Sequence, residues 1–373
     1  MLFRAKAPLR IGFAGGGTDI SPYRDIYGGY ALNAAINKYA FTSLQMLPTN
    51  KIEVHSLDYD YIAHYHVDEP MPFDGQMDLV KAVLRRLKRG RQGLKVMTHN
   101  DAPPGSGLGS SSAMVVSLLA AFKEWLSLSL SEYDLAHLAY EVERIDLGMP
   151  GGQQDQYASA FGGFNFMEFD GDRVLVNPLR IKPAVVNELE YSLMLFYTGK
   201  SRTSAHIVEA QIKSVQASHE KSLAAMSDIK QQALDMKRAL LLGDARGFGS
   251  LLDAAWESKK QMAEQITNPM IDEMYAEAIK AGALGGKISG AGGGGFMIFY
   301  CETGRKHKVA ERLEQLGGEV VDFKFEPCGV QHWRVETARP HLNEVVASEL
   351  NRYIVGETTG MHEAMMQNAT SSK

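Results

Sequence analysis

The chain has 373 residues, 45% of them hydrophobic and 22% charged, with a formal net charge of −5. That length exceeds one small core and points to two domains, while the mildly acidic balance gives no electrostatic footprint for nucleic acid or anionic lipid. Two cysteines, Cys301 and Cys328, are too few for a disulfide framework. No run approaches the roughly 18 apolar residues of a membrane span, and the N-terminus lacks the pattern of a signal peptide. A reduced, cytoplasmic protein that binds neither nucleic acid nor membrane is expected.

Strand-like runs dominate the first hundred residues: "LRIGFAG", "YALNAAINKYAFTSLQML", "KIEVHSL" and "LKVMTHN", interrupted by a basic helical stretch, "LVKAVLRRLKRG". A strand, the glycine-rich "PPGSGLGSSSA" and an apolar helix from Ser110 follow one another at 94–126. The next helix, "SEYDLAHLAYEVERIDLG", has Ser131 and Asp134 spaced as a capping box. Leu135, Leu138, Ala139, Val142 and Ile145 make its apolar stripe at helical spacing. After the loop "GMPGGQQDQ", a hairpin turning at Asp170-Gly171 is expected, then a junction over Ile181–Glu190 and a buried strand in "YSLMLFYTG". Residues 204–282 read as long charged helices, "KISGAGGGGFMIFYC" as a glycine loop entering a strand, and residues from 356 on as a polar tail. Strands with a helix pair, then helices with strands, are not the βαβα alternation of a doubly wound sheet, so the fold class is α+β. The divisions expected are an N-terminal domain over 1–185, a C-terminal domain over 186–350 and the tail over 351–373.

Chemistry concentrates in three glycine clusters. In "PPGSGLGSSSA" the backbone can approach an anion closely, and the free amides and positive end of the following helix face the loop. The bland alternative is a capped turn, although three serines exceed what capping needs. A Walker loop is excluded by the absence of Lys-Ser/Thr, and the glycine spacing is not G-x-G-x-x-G. The cluster "GFAGGGTDI" delivers Gly16, Gly17, Thr18 and Asp19 next to Arg10 on its strand. Asp19 reads either as an Asx cap or as an acceptor of substrate hydroxyls. In "KISGAGGGGF" four consecutive glycines cost more ordering entropy than a turn warrants, which suggests backbone pressed close to a ligand. Asp155, with Gly151 and Gly152 just ahead of it, is either a helix cap or a general base for a hydroxyl nucleophile. Glu143, at the flank of its stripe, faces either water or a metal. Lys200, Arg202 and His206 make either a solvated loop or a basic rim for an anionic substrate.

These clusters, in this order and at these distances, resemble the GHMP kinase superfamily over roughly residues 4–335. "PGSGLGSSSA" matches that family's middle motif almost completely. The resemblance implies a two-domain fold, a ribosomal protein S5 domain 2-like N-terminal domain with a ferredoxin-like C-terminal domain. It implies ATP phosphates over Pro104, Gly105, Ser106, Gly107, Leu108, Gly109, Ser110, Ser111 and Ser112. Mg²⁺ would lie on Ser111, with Ser110 second in line, and on Glu143. Asp155 would be the base and Arg10 the catalytic arginine. Asp19 would bind sugar hydroxyls, with Gly16, Gly17, Thr18, Gly151, Gly152, Gly290, Gly292 and Gly293 around the substrate. Where galactokinases read "GEHTDY" this chain reads "GGGTDI". That is similar to the sugar 1-kinase branch, whose members act on heptose 7-phosphate or fucose. The branch implies transfer from ATP to the anomeric hydroxyl of D-glycero-D-manno-heptose 7-phosphate, giving the 1,7-bisphosphate. Its alternatives are an L-fucose or other sugar 1-kinase and a catalytically silent ATP- and sugar-binding regulator. Lys200 and Arg202 are the candidates for the acceptor's own phosphate, and a homodimer is an allowed state.

Overall fold

A computed structural model describes residues 1–88, 90–199, 204–217 and 219–336; Phe3–Arg334 make one compact unit, and it is this unit that carries the site. Two sheets organise it. The first contains β1 (Leu2–Ala14), β2 (Gly29–Leu47), β3 (Lys51–Ser56), β4 (Tyr61–His66), β5 (Gly93–Asn100), β6 (Phe164–Asp170) and β7 (Arg173–Pro178). The second contains β8 (Leu193–Tyr197), β9 (Ala283–Ile288), β10 (Phe296–Cys301) and β11 (Glu319–Val321) in the order β11-β8-β10-β9. A last strand, β12 (Gln331–Val335), returns to flank β1, so the first sheet runs β12-β1-β2-β5-β3-β4, with β6 and β7 continuing from β2. The described pairings are antiparallel apart from β3 with β5, as the absence of βαβ alternation implies.

The helices are α1 (Tyr23–Tyr27), α2 (Asp78–Leu87), α3 (Ser110–Leu126), α4 (Glu132–Tyr140), α5 (Gln154–Phe161), α6 (Pro183–Ser192), α7 (Ser204–Gln216), α8 (Glu220–Leu242), α9 (Ala245–Lys260), α10 (Pro269–Ala281) and α11 (Lys306–Glu314). Helix α3 is apolar nearly all round and is buried from Ser112 to Phe122, packed across β2. Its first turn is therefore rigidly placed. The capping box forms as expected: the Asp134 amide donates to Ser131 Oγ at 3.2 Å and the Ser131 amide to Asp134 Oδ2 at 2.8 Å. The hairpin also forms, with Asp170 opposite Arg173.

Four elements differ from the expectation. The junction over Ile181–Glu190 is mostly α6, opened by Pro183 in its first turn and lying between β7 and β8. Strand β4 and helix α11 carry no pattern that stood out in the sequence. The stripe of α4 fails at Ile145, which is 65% exposed. The chain passes from α4 into a π-helical turn at Glu141–Asp146. That wider turn rotates the residues after it away from the 3.6-residue stripe. Ile145 swings out and Glu143 swings in.

Helix α9, which packs on β9, meets the first sheet through aromatic packing. Phe13 of β1 sits edge-on against Phe248 of α9, with ring centroids 5.1 Å apart. Helix α9 thereby lies against the end of β1 and the loop that follows it.

Candidate active site

Arg10 lies on β1 and is 3% exposed. Its Nε donates to Asp155 Oδ1 at 2.8 Å, and its Nη2 lies 2.6 Å from the same oxygen. Its Nη1 donates to the Gly107 carbonyl, so one guanidinium ties the carboxylate to the glycine loop. Asp155 is the second residue of α5, which Gln153 caps without using a side chain, so Asp155 does not serve as an N-cap. Its side chain faces a cleft of about 540 Å³.

The glycine loop between β5 and α3 forms one wall of this cleft. Pro104, Gly105, Gly107, Gly109, Ser110 and Ser111 line it, and α3 begins at Ser110 with its first-turn amides directed at the loop. Ser106, Leu108 and Ser112 do not line it. Ser106 and Leu108 are fully buried; the Ser106 carbonyl accepts from the Phe296 amide at 2.9 Å, which docks the loop on β10. Ser112 donates to Glu143 Oε2 at 2.6 Å.

Glu143 is entirely buried by the π-turn, against its reading as a solvated residue. Ser111 donates to its Oε1 at 2.6 Å, and Gln156 to its Oε2 at 2.5 Å. The nearest cation is Arg144, 3.9 Å away. A buried carboxylate held by neutral donors, with Ser111 opening into the cleft, suits a divalent ion. Mg²⁺ needs only one or two protein oxygens beside the substrate's phosphates. The donor set therefore fits the ion, although no cluster of three His, Cys, Asp or Glu ligands occurs among the described residues.

The opposite wall comes from residues 16–19 and 151–154. Asp19 is 1% exposed; its Oδ1 accepts from the Gly17 amide at 3.0 Å and its Oδ2 from the Gln154 amide at 3.1 Å. A Cβ on Gly152 would stand 1.8 Å from Asp19 Oδ2, so only glycine lets these loops meet. Gly16, Gly17, Gly151 and Gly152 line the cleft with Asp19. Thr18 does not. Its hydroxyl lies 2.8 Å from the Gly15 and Tyr30 carbonyls and accepts from the Tyr30 amide, which makes it a buried brace of the loop.

The third glycine cluster is close to backbone rather than to open space. A Cβ on Gly290 would sit 2.6 Å from Gly107 Cα, so the two loops touch backbone to backbone. Gly290 lines the cleft, whereas the Gly293 amide donates to Ile266 and Gly292 presses on the same residue. Lys200 and Arg202 lie outside the described residues. His206 is exposed on α7 beside Glu209 and is not part of the cleft wall.

Sequence reasoning missed several residues of the cleft. Gln154, Gln211, Arg144 and Lys259 line it. Lys259 is buried, and burial together with the Arg10 charge pushes its amine down to about 8, against the pull of Asp19 and Asp155. Lys287 of β9 donates to the Gly12 carbonyl at 2.8 Å, and burial, then Lys259 and Arg10, hold it well below the ordinary lysine value. A second, more apolar cleft of about 640 Å³ opens on the other side of the glycine loop, lined by Tyr59, Phe73, Met77, Leu79, Met114 and Leu147.

An anion cradle facing a guanidinium-held carboxylate, with an adjoining apolar recess, is the layout of a small-molecule phosphotransferase. Comparison with known proteins agrees. Residues 78–163 match the family described as GHMP kinases N terminal domain, and residues 236–318 match GHMP kinases C terminal. The chain is 44% identical over 337 residues to D-glycero-alpha-D-manno-heptose 7-phosphate kinase of Campylobacter jejuni, covering 89% of this chain and 99% of that protein. A crystal structure of D-glycero-D-manno-heptose 1-phosphate kinase from Bacteriodes thetaiotaomicron superposes with a TM-score of 0.76 at 43% identity, over 90% of this chain and all of that one (100%). L-fucokinase/L-fucose-1-P guanylyltransferase of Bacteroides fragilis is 28% identical over 326 residues, 80% of this chain and 34% of that protein. The chain belongs to the GHMP kinase family and has its two-domain fold. It is a sugar kinase, with ATP as the phosphoryl donor that the family implies. Among the described residues no helix is long and apolar enough to cross a membrane.

Proposed function

We propose that the protein transfers the γ-phosphoryl group of ATP to the anomeric hydroxyl of D-glycero-D-manno-heptose 7-phosphate, giving the 1,7-bisphosphate. The observation that carries this reading is the Arg10–Asp155 pair set between the phosphate loop and the Asp19 wall. The likeness to a heptose 7-phosphate kinase over 99% of its length supports the substrate class.

In this reading the apolar recess takes the adenine ring, and the amides of Gly105, Gly107, Gly109, Ser110 and Ser111 at the α3 N-terminus hold the phosphates. Ser111 and Glu143 would hold Mg²⁺, which supplies charge neutralisation on the phosphate oxygens. Asp155 Oδ2 has no partner among the described residues, so it is free to accept the proton of the acceptor hydroxyl. An anomeric hydroxyl is more acidic than an ordinary alcohol, and a carboxylate suffices as base. Arg10 fixes the rotamer of Asp155 and presents positive charge to the phosphoryl group in flight, the transition state being loose and stabilised by position and charge. Asp19, with Gly16, Gly17, Gly151 and Gly152, orients the sugar. Lys200 and Arg202 are our nominees for the remote phosphate. They precede Ala205 and Val208, which line the cleft.

The two heptose kinases are named for phosphate at different carbons, so position is the property to test. ADP release is measured with heptose 7-phosphate, heptose 1-phosphate, free heptose and L-fucose. Turnover with the 7-phosphate and formation of a 1,7-bisphosphate are expected. Turnover on fucose alone would replace this reading with the fucokinase one.

A further inference from the structure

Lys259 has no part in the chemistry above, yet its ammonium lies among the groups that carry it. It comes from the end of α9, is 5% exposed and lines the cleft. Nζ donates to the Gly290 carbonyl at 2.6 Å, at the point where that loop touches Gly107. A Cβ on Gly16 would be 3.9 Å from Nζ, which sets the ammonium against the acceptor wall. The charged groups facing it come from every element around it: Arg10 of β1, Asp19 of the following loop, Asp155 of α5 and Lys287 of β9. Neither carboxylate is within ion-pair distance, because Asp155 is taken by Arg10 and Asp19 by backbone amides. A buried ammonium with one carbonyl partner is costly unless an anion completes its shell.

We infer that Lys259 is a further catalytic residue: its ammonium contacts the phosphoryl group in transfer from the acceptor side, opposite Arg10. The inference rests on the kinase reading above. Phosphoryl transfer spreads charge over three equatorial oxygens, and cations on two walls answer that distribution better than one. In the free protein the burial of Nζ and the charge of Arg10 favour loss of its proton near pH 8. The negative charge of a nucleotide triphosphate reverses that balance, so binding draws a proton from solvent onto Nζ. No other bond is made or broken by this step.

Two variants and two readouts test it. Calorimetric titration with Mg-ATP in the absence of acceptor, at pH 8.5 in buffers of different ionisation heat, counts protons taken up. Wild-type protein takes up a fraction of a proton that Lys259→Met does not. The kcat/KM of the wild type falls as pH rises through about 8, because the free enzyme loses the cation. In Lys259→Arg that alkaline fall is absent, since arginine stays charged. Turnover by Lys259→Met drops about 10²-fold, the scale of losing one transition-state donor, while its nucleotide affinity changes only a few-fold. Equal proton uptake in wild type and Lys259→Met, or an alkaline limb unchanged in Lys259→Arg, overturns the inference and leaves Lys259 as a brace of the Gly290 loop. Absence of wild-type turnover with any sugar phosphate would instead overturn the kinase reading; the proton count remains readable in that case, because it needs only ATP.

Discussion

Both contacts of Arg10 with Asp155 fall on Oδ1, and this asymmetry decides what the carboxylate can do. One oxygen is committed to holding the side chain, and the other faces the cleft. Asp155→Asn keeps the size and loses the proton acceptor. Its kcat is expected to fall by about 10²–10⁴-fold, the range of a general base, with equilibrium affinity for ATP nearly unchanged, as single-turnover and binding measurements will show. Turnover near the wild-type level would remove Asp155 from this role. Arg10 and Asp155 were legible in the sequence through the resemblance of the glycine clusters to the GHMP kinases; from the residues alone Asp155 reads equally as a helix cap. Lys259 and Gln211 were not legible. They sit in a charged helical stretch where a lysine or glutamine looks solvated, and for Lys259 it is tertiary packing, such as that of Phe248 on Phe13, that sets α9 against the cleft. Thr18 shows the opposite error: its neighbourhood was informative, but its hydroxyl is turned into the fold.

The elements explain why the clusters take the form they do. The glycine run at 289–295 suggested close approach to a ligand, whereas the closest approach is of one glycine loop to another, at Gly107 and Gly290. The consequence is testable by contrast with a glycine that shares its backbone conformation but touches nothing. Gly290 has φ +79° and Gly304 φ +73°, and only Gly290 has neighbours within reach of an added Cβ. Gly304→Ala is expected to cost about 1–2 kcal/mol, the strain of a left-handed residue alone. Gly290→Ala adds a backbone clash, so denaturant melts should show a clearly larger loss, with turnover falling as the phosphate loop is displaced. Equal losses in the two variants would mean that the loops part without penalty. The π-turn at 141–146 was illegible for a different reason. A 3.6-residue stripe carries no sign of where one extra residue enters a turn, and that residue alone moves Glu143 from the surface to the metal-binding position proposed here.

At the scale of the whole molecule, α+β character followed from the order of strand-like and helical segments, but the closure of the first sheet did not. β12 pairs with β1 from the far end of the described chain, a long-range contact that no local pattern encodes. The second sheet is tied to the first near the site by Lys287, whose Nζ reaches from β9 to the Gly12 carbonyl of β1. Burial, then the charges of Lys259 and Arg10, hold Lys287 well below the ordinary lysine value, and Lys259 is shifted in the same direction. The sign of the resulting pH dependence follows from proton counts. Between its lowered folded value and the ordinary lysine value, the unfolded chain holds a proton that the folded chain lacks. Unfolding there takes up protons, so stability rises with pH across that window by at most about 1.4 kcal/mol per pH unit per group. Below the folded value both states are charged and the burial penalty is present in full. In denaturant melts from pH 7 to 10 the wild type should therefore gain stability relative to Lys287→Met as pH rises, whatever their offset at pH 7. Parallel curves over that range would mean that Lys287 keeps its proton in the fold, and that the bridge between the sheets is an ammonium rather than an amine.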